Sequence, residues 1–221
     1  MDAIIKEIVK EIEWAEIVYV LAGAIIGFFA SIFVLILERI LDRKGKMTIF
    51  YRRTNQRGSN GRGWGFDHSG DGRVYFTVPM EFELQNTSNT TRVIRDVSLL
   101  LYDGINFVAK MRQLEGIHIT SRTGNTITGE KDYSFGAENG SYSFVLQPRS
   151  IQRQHCEYIF AVYPSEKEAK SFDRVYARYY DERNKPHKFK VMDISNCWDR
   201  KHFPVDDDWL ELKERVVFVN K

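Results

Sequence analysis

The residues best suited to chemistry are five histidines and two cysteines, and they are scattered along the chain. No histidine has a second ligand at metal-binding spacing on its own segment. Adjacent residues on a strand point to opposite faces, so Cys156, next to His155, is expected to be a buried core residue and not a nucleophile. No G-x-S-x-G, H-E-x-x-H or C-x-x-C motif occurs, so we expect no enzyme, metal or organic cofactor. These residues are His68, His118, His155, His187, His202, Cys156 and Cys197.

One candidate binding patch alternates along a single segment. Arg174, Tyr176, Arg178 and Tyr180 share one face if the segment is a strand, and a basic turn follows over residues 183–188. Arg and Tyr are enriched in protein interfaces, and guanidinium groups bind anions. The expected partner is therefore a protein or a small anionic ligand. The alternative is a solvated face whose charges pair across strands.

Two other segments invite a functional interpretation. Residues 55–72 contain six glycines but lack the order of a phosphate-binding loop, so we expect a loop with Trp64 and Phe66 packed down or offered to a partner. Three aspartates at 206–208 precede the apolar segment 209–213. They are interpreted as the N-terminus of a short helix, because carboxylates stabilise that end; a cation site is the weaker alternative.

The elements that carry these residues are short apolar alternations separated by turn signals. Because no helices intervene, these segments predict an antiparallel β-sandwich over residues 47–200. The pattern of strands resembles that of immunoglobulin-like folds, at the level of the fold only. Pro79 cannot donate to a ladder, so its strand is expected at an edge or with a bulge. The predicted strands are 47–53, 73–85, 93–102, 105–114, 117–126, 142–146, 151–163, 174–182 and 189–194.

A membrane-spanning helix precedes this domain. Residues 17–37, IVYVLAGAIIGFFASIFVLIL, contain no charge and at about 1.5 Å per residue match the hydrocarbon thickness of a bilayer. Residues 1–16 have an apolar stripe at helical spacing and are expected to form an amphipathic helix that runs into the span. The acidic flank before the span and the lack of a cleavage site argue against a removed signal peptide.

Positive charge follows the span, and this sets the expected orientation. Lys and Arg are retained on the cytoplasmic side, so we expect the N-terminus outside and the C-terminal domain in the cytoplasm, at the plasma (inner) membrane. The short linker 38–46 is expected to keep the domain near the lipid, whose anionic headgroups are a secondary partner for the basic cluster. The cluster comprises Arg39, Arg43, Lys44, Lys46, Arg52 and Arg53.

Small residues recur on one side of the span. Gly23, Gly27 and Ser31 are spaced four residues apart, so they share a face on which two helices can approach closely. This spacing predicts a homo-oligomer formed through the membrane helix. Glycine is common in membrane helices for other reasons, which is the alternative explanation.

The whole sequence favours a binding protein. A net charge of +2 argues against nucleic-acid binding, and 14% aromatic residues suit a β-rich core. We expect a single-pass membrane protein whose cytosolic sandwich is a non-enzymatic binding or sensing module, with residues 201–221 as a C-terminal segment containing a short helix. One alternative is an effector whose helices self-associate and perturb the bilayer, an architecture that resembles small bacterial membrane effectors in antiviral defence. A membrane-anchored enzyme is a second alternative.

Overall fold

The computed structural model divides the chain into two compact units, Met1–Gly45 and Lys46–Lys221. It describes residues 2–43, 45–57, 63–70, 72–123, 126–137, 141–167, 169–194 and 198–213. Each unit is described separately below.

The first unit is one continuous helix, α1 (Asp2–Arg43). The predicted amphipathic segment and the predicted span are therefore a single element. Its stretch Glu16–Leu41 is long and apolar enough to cross a membrane. Large apolar side chains along it are exposed, as expected of a lipid-facing surface. Gly45, with φ 118°, follows the helix in a conformation that favours glycine.

The second unit is built from antiparallel strands, as predicted. All pairings among the described strands are antiparallel, and they form sandwich-like sheets. The strands are β1 (Met47–Arg53), β2 (Gly65–His68), β3 (Val74–Asn86), β4 (Arg92–Asp103), β5 (Asn106–Lys110), β6 (Arg112–Leu114), β7 (Gly116–Thr123), β8 (Thr126–Ser134), β9 (Phe144–Leu146), β10 (Ser150–Val162), β11 (Arg174–Tyr180), β12 (Pro186–Asp193), β13 (Lys201–His202) and β14 (Leu210–Glu211).

Strand β3 is the centre of the first sheet, so the expectation that Pro79 marks an edge strand is wrong. β10 pairs along the whole of one side of β3, while β1 and β2 share the other side. Pro79 lies between the residues that pair with β1 and those that pair with β2. Its carbonyl accepts from the N–H of Thr54 at 3.0 Å, where the chain leaves β1. The missing proline donor therefore faces a gap in the ladder, where it costs no strand pairing.

The second sheet has the order β12-β11-β4-β5, with β9 paired to the start of β4. The predicted strand 105–114 is in fact two strands, because the chain changes sheets at Met111. β5 pairs with β4, whereas β6 pairs with β10 of the first sheet. Met111 is 1% exposed, and its N–H donates to Leu99 O at 2.9 Å. This crossing links the two sheets along one side of the core.

The core lies between the inner faces of these sheets. Its side chains alternate with outward-facing residues on β3, β4, β10 and β11, which is the pattern that the sequence showed. Trp64 and Phe66 are both packed into it. The largest contributors include Phe76, Phe82, Leu84, Leu99, Leu101, Tyr158, Phe160, Phe172 and Val175.

The predicted helix over 209–213 is also wrong. Leu210 and Glu211 form β14, which pairs with Tyr51 and Phe50 of β1, and the N–H of Leu212 donates to Ile49 O at 2.8 Å. The open edge of β1 supplies the backbone partners that a helix would have supplied internally. Residues 201–213 are thus part of the β unit and not a separate segment. The rest of the predicted C-terminal segment, 214–221, lies outside the described residues.

Candidate functional site

The alternating patch of β11 lies on the outer face of the second sheet. Arg174, Tyr176, Arg178 and Tyr180 are half-buried, while the residues between them face the core. Neighbouring strands contribute Tyr102, which is paired with Arg174, and Lys188, which is paired with Arg178.

Two tyrosines and a lysine form the centre of this face. The rings of Tyr102 and Tyr176 meet edge to face at 5.0 Å. Lys188 Nζ lies 4.7 Å from the centroid of Tyr102 and 5.1 Å from that of Tyr176, and it donates to Tyr102 Oη at 3.4 Å. Within the part of the chain described, no carboxylate pairs with Lys188. Its charge is therefore held over the rings and is open to a partner.

The arginines of the patch have intramolecular partners, as the alternative interpretation expected. Arg174 donates to Gly104 O at 3.1 Å and lies 3.6 Å from Asp173. Arg178 lies 3.6 Å from Asp96 and stacks over the ring of Tyr180. These contacts reduce what the two guanidinium groups can offer to a ligand. They also hold the face in one arrangement.

An exposed apolar tip adjoins the tyrosines, and the sequence analysis missed it. The β4–β5 turn contains Gly104 at φ 58° and then Ile105, which is 89% exposed. Phe107 is 57% exposed, and its ring packs edge to face against Tyr102 at 5.7 Å. The Asp-Gly turn followed by apolar residues was the available signal, because a hairpin tip cannot bury them in its own sheet. We call Tyr102, Ile105, Phe107, Tyr176 and Lys188 the hairpin patch.

The predicted basic juxtamembrane cluster is divided by the structure. Arg52 and Arg53 belong to β1, where Arg52 bonds Glu81 at 2.5 Å and Arg53 is held by Asp206. These two side chains therefore stabilise the sheet. Arg39 and Lys46 are exposed, whereas the side chains of Arg43 and Lys44 lie outside the described residues.

The small-residue face of α1 is open. A Cβ added at Gly23 or Gly27 would meet nothing within 4 Å. The hydroxyl of Ser31 donates to Gly27 O at 2.8 Å, so this polar group is satisfied within the helix. The face is smooth and lacks an unpaired side-chain donor, which suits close contact with another apolar helix.

The residues first considered for catalysis are not arranged for it. Cys156 is buried in the core as predicted, and burial raises the pKa of its thiol, which disfavours the reactive thiolate. His155 bonds the buried carboxylate of Glu157 at 3.0 Å, a pair that the sequence analysis missed. The N–H of Arg57 also donates to Glu157, so the pair holds the 54–57 loop on the sheet. Cys197 lies outside the described residues.

Metal-ligating side chains are also dispersed. Within the described ranges, no group of three His, Cys, Asp or Glu side chains is placed to hold a metal ion. The chain matches no protein family model, and no curated protein or solved structure is similar to it at a significant level. Its function is therefore inferred from the surfaces described above.

Proposed function

We propose that this chain is a membrane-anchored, non-enzymatic binding module that docks a protein through the hairpin patch. The observation that carries this proposal is the exposure of Ile105 and Phe107 directly beside the Tyr102–Tyr176–Lys188 cluster. A protein interface is commonly anchored by a few aromatic and cationic side chains surrounded by less important contacts.

The chemistry of the patch defines its partner. An apolar depression on the partner would accommodate Ile105 and Phe107. A carboxylate at the rim of that depression would pair with Lys188. The tyrosines are already packed against each other and against Lys188, so little side-chain entropy is lost when they are covered. The partner is therefore a protein with an apolar pocket and an acidic border.

The helix α1 supplies the second half of the proposal. A single apolar helix confines the attached β unit to a membrane, which raises its effective concentration towards other membrane-bound proteins. With the basic flank after the span, the proposed location of the β unit is the cytoplasmic face of the plasma membrane.

Matched substitutions test the docking surface. Ile105→Ser removes the tip, and Ile151→Ser removes an isoleucine that is 65% exposed on β10 as a control. Both changes are at the surface and should alter the free energy of unfolding by less than about 0.5 kcal/mol. Loss of an interface anchor costs about 2 kcal/mol, which is about 30-fold in affinity.

The measurement is quantitative affinity capture of the detergent-solubilised full-length protein from its native cells. A specific partner should be retained by Ile151→Ser and lost with both Ile105→Ser and Lys188→Glu. If all three variants recover the same proteins in the same amounts as the wild type, the hairpin patch is not the docking surface.

The effector alternative has one supporting observation, the open face of Gly23, Gly27 and Ser31. In this second candidate function, helices from several copies pack through that face, and their assembly perturbs the bilayer. Dye entry into expressing cells that disappears with Gly23→Ile and Gly27→Ile would support it, whereas intact membranes under all conditions would favour the anchored binding module.

A further inference from the structure

A second surface of the β unit is a basic groove. It has a volume of about 390 Å³ and opens where β10 runs between β3 and β6. Three cationic residues line it together with two aromatic and two aliphatic residues. The lining residues are Arg73, Tyr75, Lys110, Arg112, Ile159, Phe160 and Ala161. We call this the cationic groove.

The change of sheets at Met111 creates the groove. Because Met111 is buried, Lys110 and Arg112 on either side of it are both exposed, one at the end of β5 and the other at the start of β6. Arg112 pairs in register with Ile159, which brings it to β10. Arg73 belongs to a third segment. It directly precedes Val74, the first residue of β3, which pairs with Val162 of β10.

The lining of the groove is cationic, and one of its cations is paired with a carboxylate outside the lining. None of its lining residues is a carboxylate. Lys110 is oriented by Asp96, whose two oxygens lie 2.8 and 2.9 Å from Nζ, and Arg73 lies 5.6 Å from the ring centroid of Tyr75. Arg112 has no ion-pair partner among the described residues. Donor groups from three separate segments therefore border one concavity, in which the charge of Arg112 is available to an anion.

We propose that the cationic groove binds a small molecule that bears a phosphate group. The planar donors of the Arg112 guanidinium match phosphate oxygens in a bidentate manner, and the Lys110 ammonium, which Asp96 holds in place, adds a further donor. Ile159, Ala161 and the Tyr75 ring form an apolar floor for the rest of the molecule. The volume of the groove is that of a small-molecule site and is too small for a protein surface.

The same phosphate chemistry occurs in soluble phosphate esters and in phosphoinositide headgroups. The test uses the full-length protein in nanodiscs of phosphatidylcholine, with inorganic pyrophosphate as the probe and calorimetry as the measurement. Arg112→Gln should weaken pyrophosphate binding at least about tenfold, because a charge-assisted contact is lost. Added salt should weaken the wild type as well.

Arg149→Gln is the matched control. Arg149 directly precedes β10, at the end of that strand far from Ala161, and its substitution removes the same charge. The proposal is overturned if pyrophosphate does not bind, or if Arg112→Gln and Arg149→Gln weaken binding equally. Thermal unfolding of both variants verifies that each is folded.

A second set of nanodiscs identifies the source of the phosphate. If the natural ligand is a lipid headgroup, phosphatidylinositol 4-phosphate in the disc should compete, and pyrophosphate should bind more weakly than in phosphatidylcholine alone. Equal affinity in both discs, with the Arg112 dependence retained, identifies a soluble ligand.

Discussion

At the scale of single residues, one carboxylate attaches the C-terminal segment to β1. Asp206 accepts from the backbone N–H of Arg53 at 2.7 Å and from Nε at 2.8 Å, and it pairs with Nη2 as well. Its own N–H donates to Arg53 O at 3.0 Å. The two side chains are only 21% and 13% exposed, so the pair is largely withdrawn from water. The burial of each charge is therefore compensated by the opposite charge of its partner.

We expect Asp206→Ala to lower the free energy of unfolding by about 2–3 kcal/mol, because it leaves a mostly buried guanidinium and a backbone N–H without their acceptor. Chemical denaturation of the full chain in detergent, followed by tryptophan fluorescence, measures the change. Asp208→Ala, at an exposed neighbouring position, is the control and should have little effect. Equal midpoints for the two variants would show that the Arg53–Asp206 pair contributes no stability.

The sequence predicted individual residues well where the information was local. The strand alternation correctly placed Cys156 in the core, and it placed Arg174, Tyr176, Arg178 and Tyr180 on one face of β11. It could not predict the Arg53–Asp206 pair, whose members are 153 residues apart, or the approach of Arg112 to Ile159. Such contacts follow from strand order, and short-range periodicity contains no information about strand order.

At the scale of elements, local patterns succeeded for long strands and failed where a neighbour decided the outcome. The alternation predicted β3 and β10 almost to their ends. The three aspartates before residue 209 resemble the N-terminus of a helix. The segment forms strand β14 instead, because the edge of β1 offers backbone hydrogen-bond partners. The single strand predicted over 105–114 became β5 and β6, because Met111 is buried between the sheets.

The small-residue face of α1 leads to a prediction at this scale. Replacing Gly23 and Gly27 by isoleucine should abolish self-association of the full-length protein, because the added side chains separate the helix backbones. Energy transfer between labelled copies in phosphatidylcholine vesicles measures the association. Ala22→Ile is the control, since at about 100° per residue Ala22 lies almost opposite the small-residue face. Unchanged transfer in the double glycine variant would show that this face is not the contact.

At the scale of the whole molecule, a membrane-compatible helix is joined to a β unit by a very short connection. α1 ends at Arg43 and β1 begins at Met47. The arrangement is compatible with a membrane-anchored β module, and the basic flank after the span predicts that the β unit lies in the cytoplasm.

Protease accessibility tests this orientation. Protease added to intact spheroplasts of expressing bacteria should leave the β unit uncut, and the same protease should digest it after the membrane is opened. A periplasmic and a cytoplasmic protein of the host serve as controls. Digestion from outside intact spheroplasts would reverse the orientation without affecting the assignment of α1 as the anchor.

β1 pairs with residues that are synthesised much later than β1 itself. β1 leaves the ribosome early, whereas Asp206 follows 153 residues after Arg53. Throughout that interval one side of β1 lacks its neighbour and could join a strand from another nascent chain. Charge on an unpaired strand discourages such pairing, and the β1 strand ends in Arg52 and Arg53. We therefore expect a chain that stops before Asp206 to aggregate more readily than the full-length chain, because one edge of β1 stays unpaired.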